Sequence, residues 1–103
     1  MLTSKQRAYL RGLANSLEPV LTVGKDGVTD NLVTQADGVL AKRELIKGTV
    51  LENSLLSARE AAEQIAAATR CEVVQVIGSK FVLFRIQGDK DKRKIELPKT
   101  KKK

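Results

Sequence analysis

The sequence predicts one α+β domain with the element order α-β-α-β-α-β-β, three helices alternating with strands and closing on a hairpin. Three observations carry this. Polar capping residues precede three stretches whose apolar residues recur at helical spacing. Short β-prone runs fill the gaps between those stretches. Gly78-Ser79 separates the last two such runs by the two residues that a tight hairpin turn needs. At 103 residues the chain has room for a single core.

Thr3 or Ser4 caps the first helix, whose apolar residues are Leu10, Leu13, Ala14 and Leu17. Ser4, Arg7, Arg11 and Asn15 share the other face at helical spacing and keep it polar. Glu18-Pro19 ends the helix, because proline has no amide donor and disfavours helix at the residue before it. Val20-Leu21-Thr22-Val23 then reads as a buried strand. A second helix begins at Thr29 or Asp30 and buries Leu32, Val33, Ala36, Val39 and Leu40, with Gly38 tolerated at about 1 kcal/mol relative to alanine. Leu45 to Leu51 is a second strand with a weaker pattern, since Gly48 interrupts it. Ser57 and Glu60 form a capping-box pair ahead of Ala61, Ala62, Ile65, Ala66 and Thr69. Glu72 to Ile77 and Lys80 to Ile86 are the hairpin strands. The organisation expected is a folded unit over 1–87 and a charged, lysine-rich extension over 88–103, read as flexible.

Composition narrows the chemistry. A 42% hydrophobic and 30% charged chain suits a folded, water-exposed domain, and no apolar run reaches the ~20 residues that span a bilayer. The first residues lack the apolar stretch of a secretory signal, and Cys71 has no partner for an internal disulfide, so a cytoplasmic setting is expected. The sequence contains no histidine, the commonest general base and metal ligand, and no acid–base pair is recognisable. No catalytic residue, metal site, cofactor or small-molecule substrate is therefore expected, and an enzyme ranks last among the functions. Cys71 itself reads as a packing residue.

The net charge of +7 suits a nucleic-acid partner, but it is unevenly placed. Residues 88–103 hold eight basic and three acidic side chains, hence +5, which leaves +2 for the rest. Scarce aromatics (Tyr9, Phe81, Phe84) argue against a base-stacking sheet.

The segment Gly24-Lys25-Asp26-Gly27 lies between the first strand and the second helix. Glycines at both ends permit unusual backbone angles and leave no side chain to hold a ligand away. The helix that follows offers unpaired amides and a positive dipole end, and Lys25 adds a full charge at the tip, so the loop is a natural seat for a phosphate. Asp26 is suited to bonding local amides of the turn. Taken by itself the pattern is more often that of a tight turn with a surface lysine. It lacks the longer glycine patterns of nucleoside-triphosphate and dinucleotide sites.

Leu10-Arg11-Gly12-Leu13-Ala14, followed by Leu17 through Thr29, resembles the bacterial stand-alone form of the CRM domain, the chloroplast RNA splicing and ribosome maturation family of YhbY type. Arg43-Glu44-Leu45-Ile46-Lys47, Val74 to Gly78 and Val82 to Arg85 match its later signatures in order. The resemblance implies three helices on a four-stranded mixed sheet, sandwich-like, similar to the C-terminal domain of bacterial translation initiation factor three. It also implies RNA binding through the G-x-x-G loop and adjoining basic surface, with ribosomal RNA in precursors of the large subunit as the partner of the bacterial members. Arg43 stands where the family commonly has histidine, and Gly48 replaces a usual apolar residue, so that strand is expected to be weak or bulged.

The candidate RNA contacts are Gly24, Lys25, Asp26, Gly27, Arg7, Arg11, Arg43 and Lys47, with Arg59, Arg70, Lys80 and Arg85 read as ordinary surface residues. The competing reading is a protein-interaction module that reaches ribosomal particles without touching RNA, suggested by the modest charge outside the tail. Which RNA is bound and the oligomeric state stay open.

Overall fold

A computed structural model describes residues 2–86, and the elements follow the expected order. They are α1 (Ser4–Ala14), β1 (Pro19–Val23), α2 (Asp30–Arg43), β2 (Leu45–Val50), α3 (Ala58–Thr69), β3 (Glu72–Ile77) and β4 (Lys80–Phe84). The lysine-rich extension expected at 88–103 lies outside the described residues.

Each helix starts where its cap dictates. Thr3, rather than Ser4, caps α1: its hydroxyl accepts from the Gln6 amide and its own amide donates to Gln6 Oε1, both at 3.1 Å. Thr29 caps α2 by accepting from the Leu32 amide at 3.1 Å. Ser57 and Glu60 form the predicted reciprocal box at the start of α3, at 3.1 and 2.9 Å. Such a cap contributes about 1 kcal/mol. The first helix stops before Leu17, because Asn15 and Leu17 bond back to Gly12 and Ala14 in i to i+3 fashion and tighten its last turn. Pro19, expected to mark the helix end, instead opens β1.

The strands make one mixed sheet in the order β1-β2-β4-β3. The first pair is parallel, with α2 as the crossover, and the other two pairs are antiparallel. Gly78 takes the positive φ that the β3–β4 turn requires. β4 ends at Phe84, short of Ile86, and its last four residues are buried on both faces, as a central strand's should be.

Side chains alternate between two cores. Leu21, Val23, Ile46, Val50, Phe81 and Leu83 face α2 and α3, while Leu45, Val74, Val82 and Phe84 face α1 through Leu10 and Ala14. The result is three layers, with α1 on one side of the sheet and α2 with α3 on the other.

The expectation of a weak or bulged second strand is corrected. β2 lies inside the sheet and pairs with β4 without interruption from Leu45 to Thr49. Gly48 faces Phe81 directly across that ladder, and a Cβ there would meet three carbons of the Phe81 ring at 3.0 Å or less. The glycine makes room for the ring, and the ring covers the backbone that glycine leaves bare. The irregularities sit on the margins instead, between Pro19 and Leu21 in β1 and between Val73 and Gln75 in β3.

Candidate nucleic-acid interface

Strand directions decide which loops meet. β1 and β2 run parallel, with Val23 beside Val50, while Lys80 at the start of β4 pairs with both Thr49 and Ile77. The Gly24–Gly27 loop, residues 51–57 and the Gly78-Ser79 turn therefore crowd one end of the sheet. Backbone bonds join them: the Leu51 amide donates to the Val23 carbonyl at 2.9 Å, and the Val50 amide to the Ser79 carbonyl at 2.8 Å.

The first of these loops is a closed turn. The Gly27 amide donates to the Gly24 carbonyl at 3.0 Å, which puts Lys25 and Asp26 at the exposed tip. Only one of the two glycines is there for its backbone. Gly27 has φ +72°, where a side chain costs about 1–2 kcal/mol. Gly24 does not, and a Cβ on it would make ordinary contact with Leu51 Cδ1 at 3.9 Å. The fold does not need glycine at position 24; what its bareness provides is access to the loop backbone. Lys25 has no hydrogen-bond or ion-pair partner among the described residues. Asp26 also makes no such bond there, so its expected role in holding the turn is not observed. A depression of about 270 Å³ lies against the loop, and its lining includes Gly24, Lys25, Asp26, Gly27, Thr29 and Asn31. The amino end of α2 opens onto it, so amide donors and the positive helix end add to Lys25.

The other four candidates are dispersed. Arg7 is half-buried, and its guanidinium donates to the Val73 carbonyl and, at 3.3 Å, to that of Val74, at the irregular step in β3. Arg11 is half-buried and without a partner among the described residues. Lys47 lines an open basin of about 140 Å³ on the α1 face with Asn15, Gln75, Ile77, Val82 and the exposed Lys80. Arg43 stands at the far end of α2, which 14 residues of helix place roughly 20 Å from the loop.

Two residues take parts that the sequence does not announce. Arg85, read as a surface residue, clamps α2 to the end of α3: it donates to Asp37 Oδ1 at 2.6 Å, to the Thr69 carbonyl at 2.9 Å and to the Asp37 carbonyl at 3.1 Å. Glu44 is buried and turns the chain from α2 into β2 at φ 66°, while its carbonyl accepts from the Arg85 amide at 2.9 Å. Neither role leaves a local pattern in the sequence. Cys71 packs against the α2–α3 core, and burial pushes its thiol pKa up, which suits a packing residue better than a nucleophile. Among the described residues no group of His, Cys, Asp and Glu is arranged to hold a metal ion, and no helix is long and apolar enough to cross a membrane.

Comparisons with known proteins converge on one type of module. The profile of the CRS1 / YhbY (CRM) domain matches residues 2–85. The chain is 42% identical over 98 residues to the probable RNA-binding protein YqeI of Bacillus subtilis, covering 95% of this chain and all of that one. It is 33% identical over 97 residues to an RNA-binding protein of Haemophilus influenzae, covering 94% and 95% of the two. The solution structure of protein SAV1595 from Staphylococcus aureus superposes with a TM-score of 0.78 at 46% identity, over 95% of this chain and all of that one.

Proposed function

Because the chain belongs to the CRS1 / YhbY (CRM) domain family, whose members similar to it are named RNA-binding proteins, we propose that it binds ribosomal RNA and acts in maturation of the large ribosomal subunit. The observation that carries the contact is the closed turn at Gly24–Gly27, which puts Lys25, without a partner among the described residues, on the same depression as the first residues of α2. A phosphate there meets the lysine charge, the helix amides and a backbone that Gly24 leaves uncovered. Arg11 and the Lys47–Lys80 basin extend the positive surface on the α1 side. The protein acts by binding in the cytoplasm, not by catalysis, and the RNA is its substrate only in the sense of being held.

The test is sedimentation of the tagged protein through a lysate gradient, for the wild type and for Lys25→Glu. The wild type is expected to travel with large-subunit precursors and the variant to stay near the top. In purified form, Lys25→Glu should bind RNA about tenfold more weakly at low salt, with a salt slope reduced by about one. Failure of the wild type to travel with ribosomal particles would remove the large-subunit assignment.

A further inference from the structure

The three most exposed large apolar side chains among the described residues all stand at the loop end of the sheet: Leu55 at 92%, Ile77 at 62% and Leu51 at 46%. Ile77 belongs to the α1-face basin with Lys47, while Leu51 and Leu55 stand on one short segment, and exposed apolar groups so placed mark a contact surface. Residues 51–57 are also well held. The Ser54 amide bonds the Leu51 carbonyl at 3.0 Å, the Leu56 amide bonds Ser54 Oγ at 3.1 Å, and Ser57 is locked in its capping box. Leu55 is thus displayed on a fixed turn.

We propose that residues 51–55 form the base-contacting half of the RNA site, and that the site takes unpaired nucleotides in preference to duplex. This rests on reading Gly24–Gly27 as the phosphate seat. The two loops touch: Leu51 Cδ1 is 3.9 Å from where a Cβ on Gly24 would be, and Leu56 Cδ1 is 3.5 Å from the same point on Gly27. Their chemistries divide in the way a nucleotide does. The stretch from Thr49 to Ser57 contains no lysine or arginine, so it has nothing with which to hold a phosphate, and Glu52 would repel one. It offers instead apolar surface for the face of a base, and Glu52, Asn53 and Ser54 for hydrogen bonds to base edges. A duplex turns phosphates and riboses outward and keeps its base faces stacked inside, so it gives Leu55 nothing to cover. An unpaired nucleotide whose phosphate sits at Lys25 has its base free to lie on Leu51 and Leu55. Two leucine side chains match that size and fall well short of the roughly 1,200 Å² of a stable protein interface.

The experiment measures binding of the wild type, Leu55→Ser and Lys25→Glu to a hairpin RNA with an open loop and to a blunt duplex of the same stem. Leu55 is so exposed that the serine variant should keep its melting temperature. The wild type is expected to prefer the hairpin. Leu55→Ser should lose about fivefold on the hairpin and nothing on the duplex, while Lys25→Glu weakens on both. If Leu55→Ser binds both RNAs as the wild type does while Lys25→Glu is weakened, the base-contact inference is wrong and the phosphate seat stands. If Lys25→Glu is unchanged, the phosphate seat itself fails, and the inference with it. Normal RNA binding by Leu55→Ser combined with loss from ribosomal particles would assign the patch to a protein partner and overturn the inference.

Discussion

The two ends of the sheet use their cations in different ways. Where β3 begins and β4 finishes, Arg85 is spent on Asp37 and Thr69, and Arg7 on the carbonyls of Val73 and Val74. Where β1 and β2 finish, Lys25 has no partner among the described residues, and three leucine and isoleucine side chains face water. Arginine's planar fork suits the first task, satisfying several carbonyl and carboxylate oxygens at once; lysine's mobile point charge suits the second. The difference teaches that a count of positive residues says little about binding. What matters is which of them the fold has left unemployed.

Four substitutions would break or sharpen that contrast. The largest effect is expected in the sheet that holds the two ends apart. Gly48→Ala would drive a methyl group into the Phe81 ring, and a loss of about 3 kcal/mol is expected in denaturant unfolding. A loss under about 1 kcal/mol would mean that Phe81 has room to move away. Next is the tied end. Arg85→Ala should cost about 1–2 kcal/mol by releasing α2 from the end of α3, a modest figure because Asp37 is itself largely exposed. RNA affinity per folded molecule should not change, and a drop measured by titration under native conditions would show that Arg85 does more than clamp. The smallest and most discriminating change is at the open end. Gly27→Ala should lose about 1 kcal/mol to its left-handed backbone, whereas Gly24→Ala should leave stability within about 0.5 kcal/mol. If RNA approaches the loop backbone closely, Gly24→Ala nevertheless weakens binding, and equal affinity would place the RNA farther out, on Lys25 alone.

What was legible in the sequence was whatever is decided within a few residues. Ser57 and Glu60 bond across three positions, so the pattern and the structure coincide, and of the two caps offered for the first helix Thr3 is the one used. The turn at Gly24–Gly27 is similarly local, and its placement between a strand and a helix is visible in the hydrophobic spacing. Gly48 misleads because its reason lies 33 positions away, in the ring of Phe81. Arg7 and Arg85 look alike to any charge count, yet their partners are backbone oxygens that only the assembled sheet and helices bring near. Leu51 reads as the last residue of a β-prone run, and nothing in the string distinguishes it from Val50, which is buried. Arg43 and Lys25 are separated by one helix, so neighbouring signatures in the sequence end up at opposite ends of the fold.

The irregular steps in β1 and β3 bear on how copies of the chain behave toward one another. These two strands are the margins of the sheet, where unpaired amides and carbonyls invite a neighbour's strand to add on. On one margin Pro19 withholds a donor and the register slips before Leu21; on the other the slip falls at Val74, and Arg7 takes up carbonyls beside it. Neither margin offers a long, evenly spaced ladder. Sheet extension from one molecule to the next, the usual first step toward fibres, is thereby discouraged by the same arginine that the first helix presents to β3.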